Sequence, residues 1–324
     1  VKSIATFLPR LATTIAVAGM LASPLHAEEA YPTKPIRMVM CCVGAIDSVA
    51  RVVAEVMAQD LGQPVVVDAR PGAAGGIGAD IVAKSKGDGY TIFVGTNATH
   101  AANQSLYKNL PYDYIRDFAP IGGVAQGQVV LLVNPASTIK TVADLTAQAQ
   151  AAPGKLSYGW ASTSTRVAME LYSQLAQVKF TDVPYKTNPQ ATTDLMGGQF
   201  DVLFADLNTS APLVKAGRLR ALAVSGDKRA LVLPDVPTMK EAGVPGYTLT
   251  WWVGVWAPAG TPQPAIERLN QSLTRAINSP RAAEYFRNSG SEPMPMSADN
   301  LAKFQVSENA KWKQIVTKAG IPAQ

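Results

Sequence analysis

The residues whose types could do chemistry gather at a few points in the chain. Cys41 and Cys42 stand side by side after the apolar run Ile36 to Met40, and Val43, Gly44, Ala45 and Asp47 follow. Farther on, Trp160 and Ala161 lead into four consecutive hydroxyl residues, Ser162, Thr163, Ser164 and Thr165, with Arg166 directly after them. A thiol nucleophile needs a base and an orienting group. The chain has two histidines, His26 and His100, and nothing places a carboxylate to orient either one. Two cysteines and so few histidines also make no transition-metal ligand set, so no metal is expected. The cysteine pair reads either as small apolar packing in a tight loop or as a redox pair. The hydroxyl run reads either as helix capping or as an anion grip, with the planar donor fork of Arg166 suited to a carboxylate.

These loops must be held by elements that the hydrophobic periodicity marks out. Strand-like runs alternate with amphipathic stretches: Ile36 to Met40, then Ser48 to Leu61; Pro64 to Val67, then Ile77 to Ser85; then Tyr90 to Val94. A second series follows, with strands at Val129 to Val133, Leu156 to Tyr158, Val183 to Tyr185, Val202 to Phe204 and Leu219 to Val224. Helices fall between them at Val142 to Ala151, Thr165 to Ala176, around Ala191 to Met196 and around Ala211 to Ala216. The apolar strand Trp251 to Trp256 then precedes helices over Pro264 to Ile277 and Leu301 to Lys318. The alternation predicts an α/β fold of two lobes, each a sheet covered by helices. The last helices need a sheet to cover, so the chain is expected to return to the first lobe. Residues 28–128 and 251–324 then form lobe 1 and residues 129–250 lobe 2, with Val129 to Val133 and Trp251 to Trp256 as crossings. Ligands of open α/β sheets bind beyond the carboxyl ends of strands, where helix N-termini offer free N–H groups, and a cleft between two such lobes favours carboxylates.

Compartment and partners follow from the ends and the charge. Lys2 and Arg10 flank the uncharged stretch Leu11 to Leu21, and Ala27 supplies a small residue for cleavage, so residues 1–27 read as a secretory signal peptide. Its apolar core is roughly a dozen residues, short of the ~20 that span a bilayer. The formal charge of +5 comes from basic residues scattered along the chain, which argues against nucleic-acid binding and modestly favours anionic ligands. The glycine-rich stretch Gly72 to Gly78 lacks the spacing of a phosphate-binding loop, and no cofactor is expected.

The sequence resembles the receptor proteins of tripartite tricarboxylate transporters. In the first half the likeness rests on Tyr31-Pro32-Thr33-Lys34-Pro35-Ile36-Arg37, Leu61-Gly62-Gln63-Pro64, Arg70-Pro71-Gly72-Ala73 and Gly87-Asp88-Gly89-Tyr90-Thr91. It continues through Asp182-Val183-Pro184-Tyr185-Lys186, Asp194-Leu195-Met196-Gly197-Gly198-Gln199, Leu233-Pro234-Asp235-Val236-Pro237 and Ala257-Pro258-Ala259-Gly260-Thr261-Pro262. What the resemblance implies is a type II periplasmic-binding-protein fold, two mixed sheets joined by two crossover strands. It further implies a cleft that closes on an organic acid, delivery to an integral membrane permease, a periplasmic monomer and no catalysis.

By the same resemblance, the loop from Cys41 to Asp47 and the loop from Trp160 to Arg166 are the two carboxylate grips. Both look about two residues shorter than the family pattern. Trp160 sits near a position that is usually small, Arg166 where a histidine is common, and Asp206 where an aspartate often faces the ligand or its waters. Thr96 and Asn97 end a strand where small polar groups face a cleft, and Tyr185 and Lys186 are placed at its rim. Shortened loops, with Trp160 and Phe204 as a flat apolar wall, favour an aromatic carboxylate or dicarboxylate of the phthalate type, terephthalate among the candidates, over a citrate-like acid. Trp251 and Trp252 read as hinge-strand core. The rival readings are a regulator's effector domain, which would carry a DNA-binding helix pair where this chain has an export signal, and a secreted enzyme acting on a small organic acid.

Overall fold

A computed structural model of the chain describes residues 31–42, 45–318, 320, 321 and 323, so the expected signal peptide lies outside the described residues. The first strand, β1 (Ile36–Met40), shows why the chain layers as it does. It is apolar at nearly every position because it is buried on both faces, as central parallel strands are. Ile36, Met38 and Met40 point to one side, with Val49, Val53 and Met57 of helix α1 (Ala45–Leu61). Val39 points to the other, with Ala79 and Val82 of α2 (Gly76–Ala83). β2 (Val65–Ala69) and β3 (Thr91–Thr96) flank β1 in parallel. A turn over Ala98–Ala102 and a short helix, α3 (Asn103–Leu106), then lead into β4 (Phe118–Gly127).

The second layer repeats the logic. β5 (Val129–Val133) turns Val130 and Leu132 toward one cluster and Val129, Leu131 and Val133 toward another. Around it come α4 (Val142–Ala151), β6 (Ser157–Trp160), α5 (Thr163–Ala176), β7 (Thr181–Pro184), α6 (Asn188–Met196), β8 (Val202–Asp206), α7 (Leu207–Lys215) and β9 (Arg220–Val224). The chain ends with β10 (Trp251–Pro258), α8 (Gln263–Ile277), α9 (Pro280–Ser289), β11 (Glu292–Pro293) and α10 (Ala298–Lys318).

Two mixed sheets result, ordered β11-β4-β10-β3-β1-β2 and β7-β6-β8-β5-β9. In the first, β10 runs antiparallel to both β3 and β4. In the second, β6 pairs parallel with β7 and β8, while β5 is antiparallel to β8 and β9. The chain changes sheet at Gln128, and it returns just before Trp251, since Leu249 N–H still donates to Ser225 O beside β9. The crossings therefore fall at the first residues of the two expected crossing strands. Gln128 fixes the first one, donating to Lys228 O and accepting from Gly226 N–H.

The structure adds elements that periodicity did not mark. β4 carries Pro120 and the pair Gly122-Gly123 within FAPIGGVAQG, a composition that does not read as a strand. Those glycines are a packing requirement: a Cβ on Gly122 would come within 2.8 Å of Asn270 and Met296, and one on Gly123 would collide with Met294. β11 pairs with β4 beside this close approach. α9 has Ser279 as its N-cap, accepting from Ala282 N–H, and Gly290 in the left-handed conformation at its end.

Helix α10 covers the first sheet with a stripe that includes Leu301, Gln305, Glu308 and Trp312. The stripe has a polar task. Trp252 Nε1 donates to Glu308 Oε2 at 2.8 Å and Trp312 Nε1 to the same oxygen at 3.1 Å, while Trp256 Nε1 donates to Gln305 at 3.0 Å. Removing the Glu308 carboxylate leaves two buried indole donors unsatisfied, at about 1–3 kcal/mol each. Glu308→Leu is expected to lower unfolding free energy in urea by at least about 2 kcal/mol, with Glu308→Gln, which keeps one carbonyl oxygen, losing less.

Candidate functional site

Strands of both sheets end at one cavity. The segments following β1, β2, β3, β6, β7 and β8, together with the start of β10, enclose about 570 Å³. The placement follows the rule that ligands of open α/β sheets sit beyond the carboxyl ends of strands.

From the first sheet come Cys41 and Cys42, with unbonded sulfurs 2.7 Å apart, then Thr96 and Asn97. Asn97 joins three parts of the molecule: its Nδ2 donates to Ser164 Oγ of α5 at 3.1 Å, and its Oδ1 accepts from Trp252 N–H at 3.4 Å. From the second sheet come Trp160, Ala161, Ser162, Thr163, Ser164 and Arg166, around the N-terminus of α5. The Arg166 guanidinium lies 4.7 Å over the Trp160 ring, and its Nε is buried with no hydrogen-bond partner among the described residues. Trp160 is held in turn by donation from Nε1 to Asp182 at 3.1 Å. Lys186 adds a second cation to the lining.

Asp206 is the acid of the cavity. Burial raises its carboxyl above the usual range, opposed by a 2.9 Å donation from Asn188 Nδ2. Asn188 Oδ1 is left buried and unpartnered among the described residues, so an acceptor also faces this corner. Two cations and the hydroxyls around the start of α5, against one carboxyl held toward neutrality, suit an anion with a polar edge.

Several expected site residues lie elsewhere. Thr165 is buried and closes a capping box with Ser162, each side chain accepting from the other's backbone N–H, so its hydroxyl is spent on α5. Asp47 pairs with Arg51 one turn along α1. Tyr185 packs against Phe200, with ring centroids 5.5 Å apart, and does not line the cavity. Phe204 is fully buried and stacked on Tyr247, so it forms no cavity wall; it shares the face of Asp206 but sits two residues deeper in β8. Val43 and Gly44 lie outside the described residues, and Ala45 opens α1.

The aromatic wall comes instead from Trp160, Trp251 and Trp252. The Trp251 ring lies over Gly127 on the neighbouring strand, where a Cβ would collide with it. Pro71, Gly72, Ala74 and Gly75 also line the cavity, as do Asn188, Asn208 and Ile321. The Arg70-Pro71-Gly72 turn directly after a strand was the available signal for the first group. Ile321 carried none, because it arrives from the far end of the chain.

His100 lies under the site. It is fully buried and stacked on Trp256 at 3.8 Å, Nδ1 shares a 2.9 Å hydrogen bond with Thr99 Oγ1, and it does not line the cavity. A thiol–imidazole couple with Cys41 or Cys42 therefore lacks its base. Burial lowers the imidazole pKa to about 3, below the ordinary 6.5, so the unfolded chain takes up this proton first. Stability is then lost as pH falls from about 6.5 toward 3, at roughly 1.4 kcal/mol per pH unit from this group. His100→Phe is expected to flatten that part of a melting-temperature profile; an unchanged slope contradicts the assignment.

Comparison with known proteins gives one consistent result. The model of the tripartite tricarboxylate transporter family receptor matches residues 49–321. Protein BugT of Bordetella pertussis is 35% identical over 314 residues, covering 94% of this chain and 95% of that one. The structure of R. palustris Rpa4515 with adipate superposes with a TM-score of 0.83 at 34% identity, covering 91% of this chain and all of that one. MatC from Rhodopseudomonas palustris with bound malate gives a TM-score of 0.78 at 28% identity, with 88% and 100% covered.

Proposed function

The chain belongs to the tripartite tricarboxylate transporter receptor family, and on that premise we propose that it is a periplasmic receptor that captures an aromatic dicarboxylate of the phthalate type and hands it to an integral membrane permease. The observation that carries the reading is the pairing of Arg166 with Trp160: a guanidinium with an unused buried donor, seated on an indole face, inside a cavity with two further tryptophans. A carboxylate completes the donor fork and an aromatic ring completes the wall. Adipate and malate in the related structures make small dicarboxylates the relevant class. Export through cleavage near Ala27 and action as a monomer belong to the same reading; among the described residues no helix is long and apolar enough to cross a membrane.

The mechanism is capture by closure. Lobe 1, residues 28–128 with 251–324, and lobe 2, residues 129–250, each contribute loops to the cavity. A ligand touching both stabilises the closed form by contacts that the open form lacks. The permease then reads a surface that exists only when the lobes meet. No chemical step is required of the protein.

Titration calorimetry with phthalate and terephthalate against adipate and malate is expected to show the aromatic acids binding at least tenfold tighter. Tighter binding of the aliphatic acids removes the aromatic preference and leaves the carboxylate receptor. Arg166→Ala is expected to weaken the preferred acid by roughly 1.5–3 kcal/mol, the range for hydrogen bonds to charged groups. An unchanged dissociation constant takes Arg166 out of the site.

A further inference from the structure

The anion-binding reading makes no use of the sulfur chemistry of Cys41 and Cys42, yet both line the cavity. Cys41 follows β1 directly and is 1% exposed. The Gly75 backbone packs closely against it, since a Cβ there would come within 2.8 Å of the Cys41 Cβ. Cys42 is only partly buried, and the two sulfurs are 2.7 Å apart without a bond. A buried thiol and an accessible thiol in contact, on the wall of a cavity, form the arrangement that thiol–disulfide exchange needs.

We propose that Cys41 and Cys42 are an exchange site in the cavity wall that reacts with a small disulfide and closes to an intramolecular bond. Only access to the sulfurs rests on the receptor reading. Cys42 is the attacking group: the hydrogen bond from Cys41 stabilises its thiolate, and burial opposes this only in part. Cys41 is held protonated, first by that same bond and then by burial. The Cys42 thiolate attacks one sulfur of R–S–S–R, forms Cys42–S–S–R and expels RS⁻, which takes up a proton. Cys41 then loses its proton and attacks Cys42 Sγ, and a second RS⁻ leaves and is protonated. Two cysteine thiols are oxidised and one small disulfide is reduced to two thiols.

The test uses the reduced protein, exposed to oxidised glutathione, quenched with N-ethylmaleimide and weighed intact. The expected product is a monomer lighter by two hydrogens, carrying no maleimide and restored by dithiothreitol. Cys41→Ser is expected to stop at a stable glutathione adduct on Cys42, and Cys42→Ser to form none. One or two maleimides on the exposed wild-type protein with no loss of hydrogen, or a wild-type protein that stops at the adduct, overturns the proposal. A saturating carboxylate that calorimetry shows to bind is expected to slow the exchange at least tenfold, and an unchanged rate overturns the placement of the pair in the ligand cavity. If no carboxylate binds, the receptor reading fails while the mass of the exposed protein still decides this one.

Discussion

The proposed capture of an acid rests on one arginine in the cavity whose buried donor has no hydrogen-bond partner among the described residues. Arg166 sits on the first turns of α5, its cation spread over Trp160 and its Nε buried without a partner among the described residues. A buried donor without an acceptor costs free energy, and a charged one costs more. The surrounding structure supports the geometry nonetheless: Ser162 and Thr165 cap the helix beneath it, and Asp182 holds the indole. An anion in the cavity would supply the missing acceptor, which is why the proposed ligand is an acid.

The opposite wall of the cavity depends on β10. This strand returns to the first sheet between β3 and β4 and carries Trp251 and Trp252 to the cavity, while α10 satisfies the indole of Trp252 from behind through Glu308. Asn97 bonds to the backbone of this strand and to Ser164 of α5, so one amide ties the first sheet, the return strand and the second sheet together. In the proposed mechanism this junction is where a ligand would act on elements of both sheets.

Much of this was legible in the sequence. Strands such as Ile36–Met40 and Val129–Val133 announce themselves because they are buried on both faces and flanked by amphipathic helices. The loops after β1 and β6, with Arg166, could be marked as facing a cavity because segments beyond the carboxyl ends of strands meet there in open α/β sheets. β4 stayed hidden because its glycines answer to Met294 and Met296, far away in the chain. Phe204 was placed on the correct face of β8 and at the wrong depth, since periodicity gives parity and not distance from the strand end. Thr165 could not be told from its neighbours because capping and ligand contact demand the same hydroxyl. An apolar strand marks the tryptophans at 251 and 252 as core, whereas Trp252 is both core and cavity wall.

The central claim is that one small acid engages loops of both sheets at once. Amide hydrogen exchange followed by mass spectrometry, with and without a saturating dicarboxylate, tests it most directly. The account predicts slowed exchange together in the segment after β1, residues 41–48, and in the segment at the start of α5, residues 161–167. Protection confined to one of these segments, in a sample where binding is demonstrated, contradicts it.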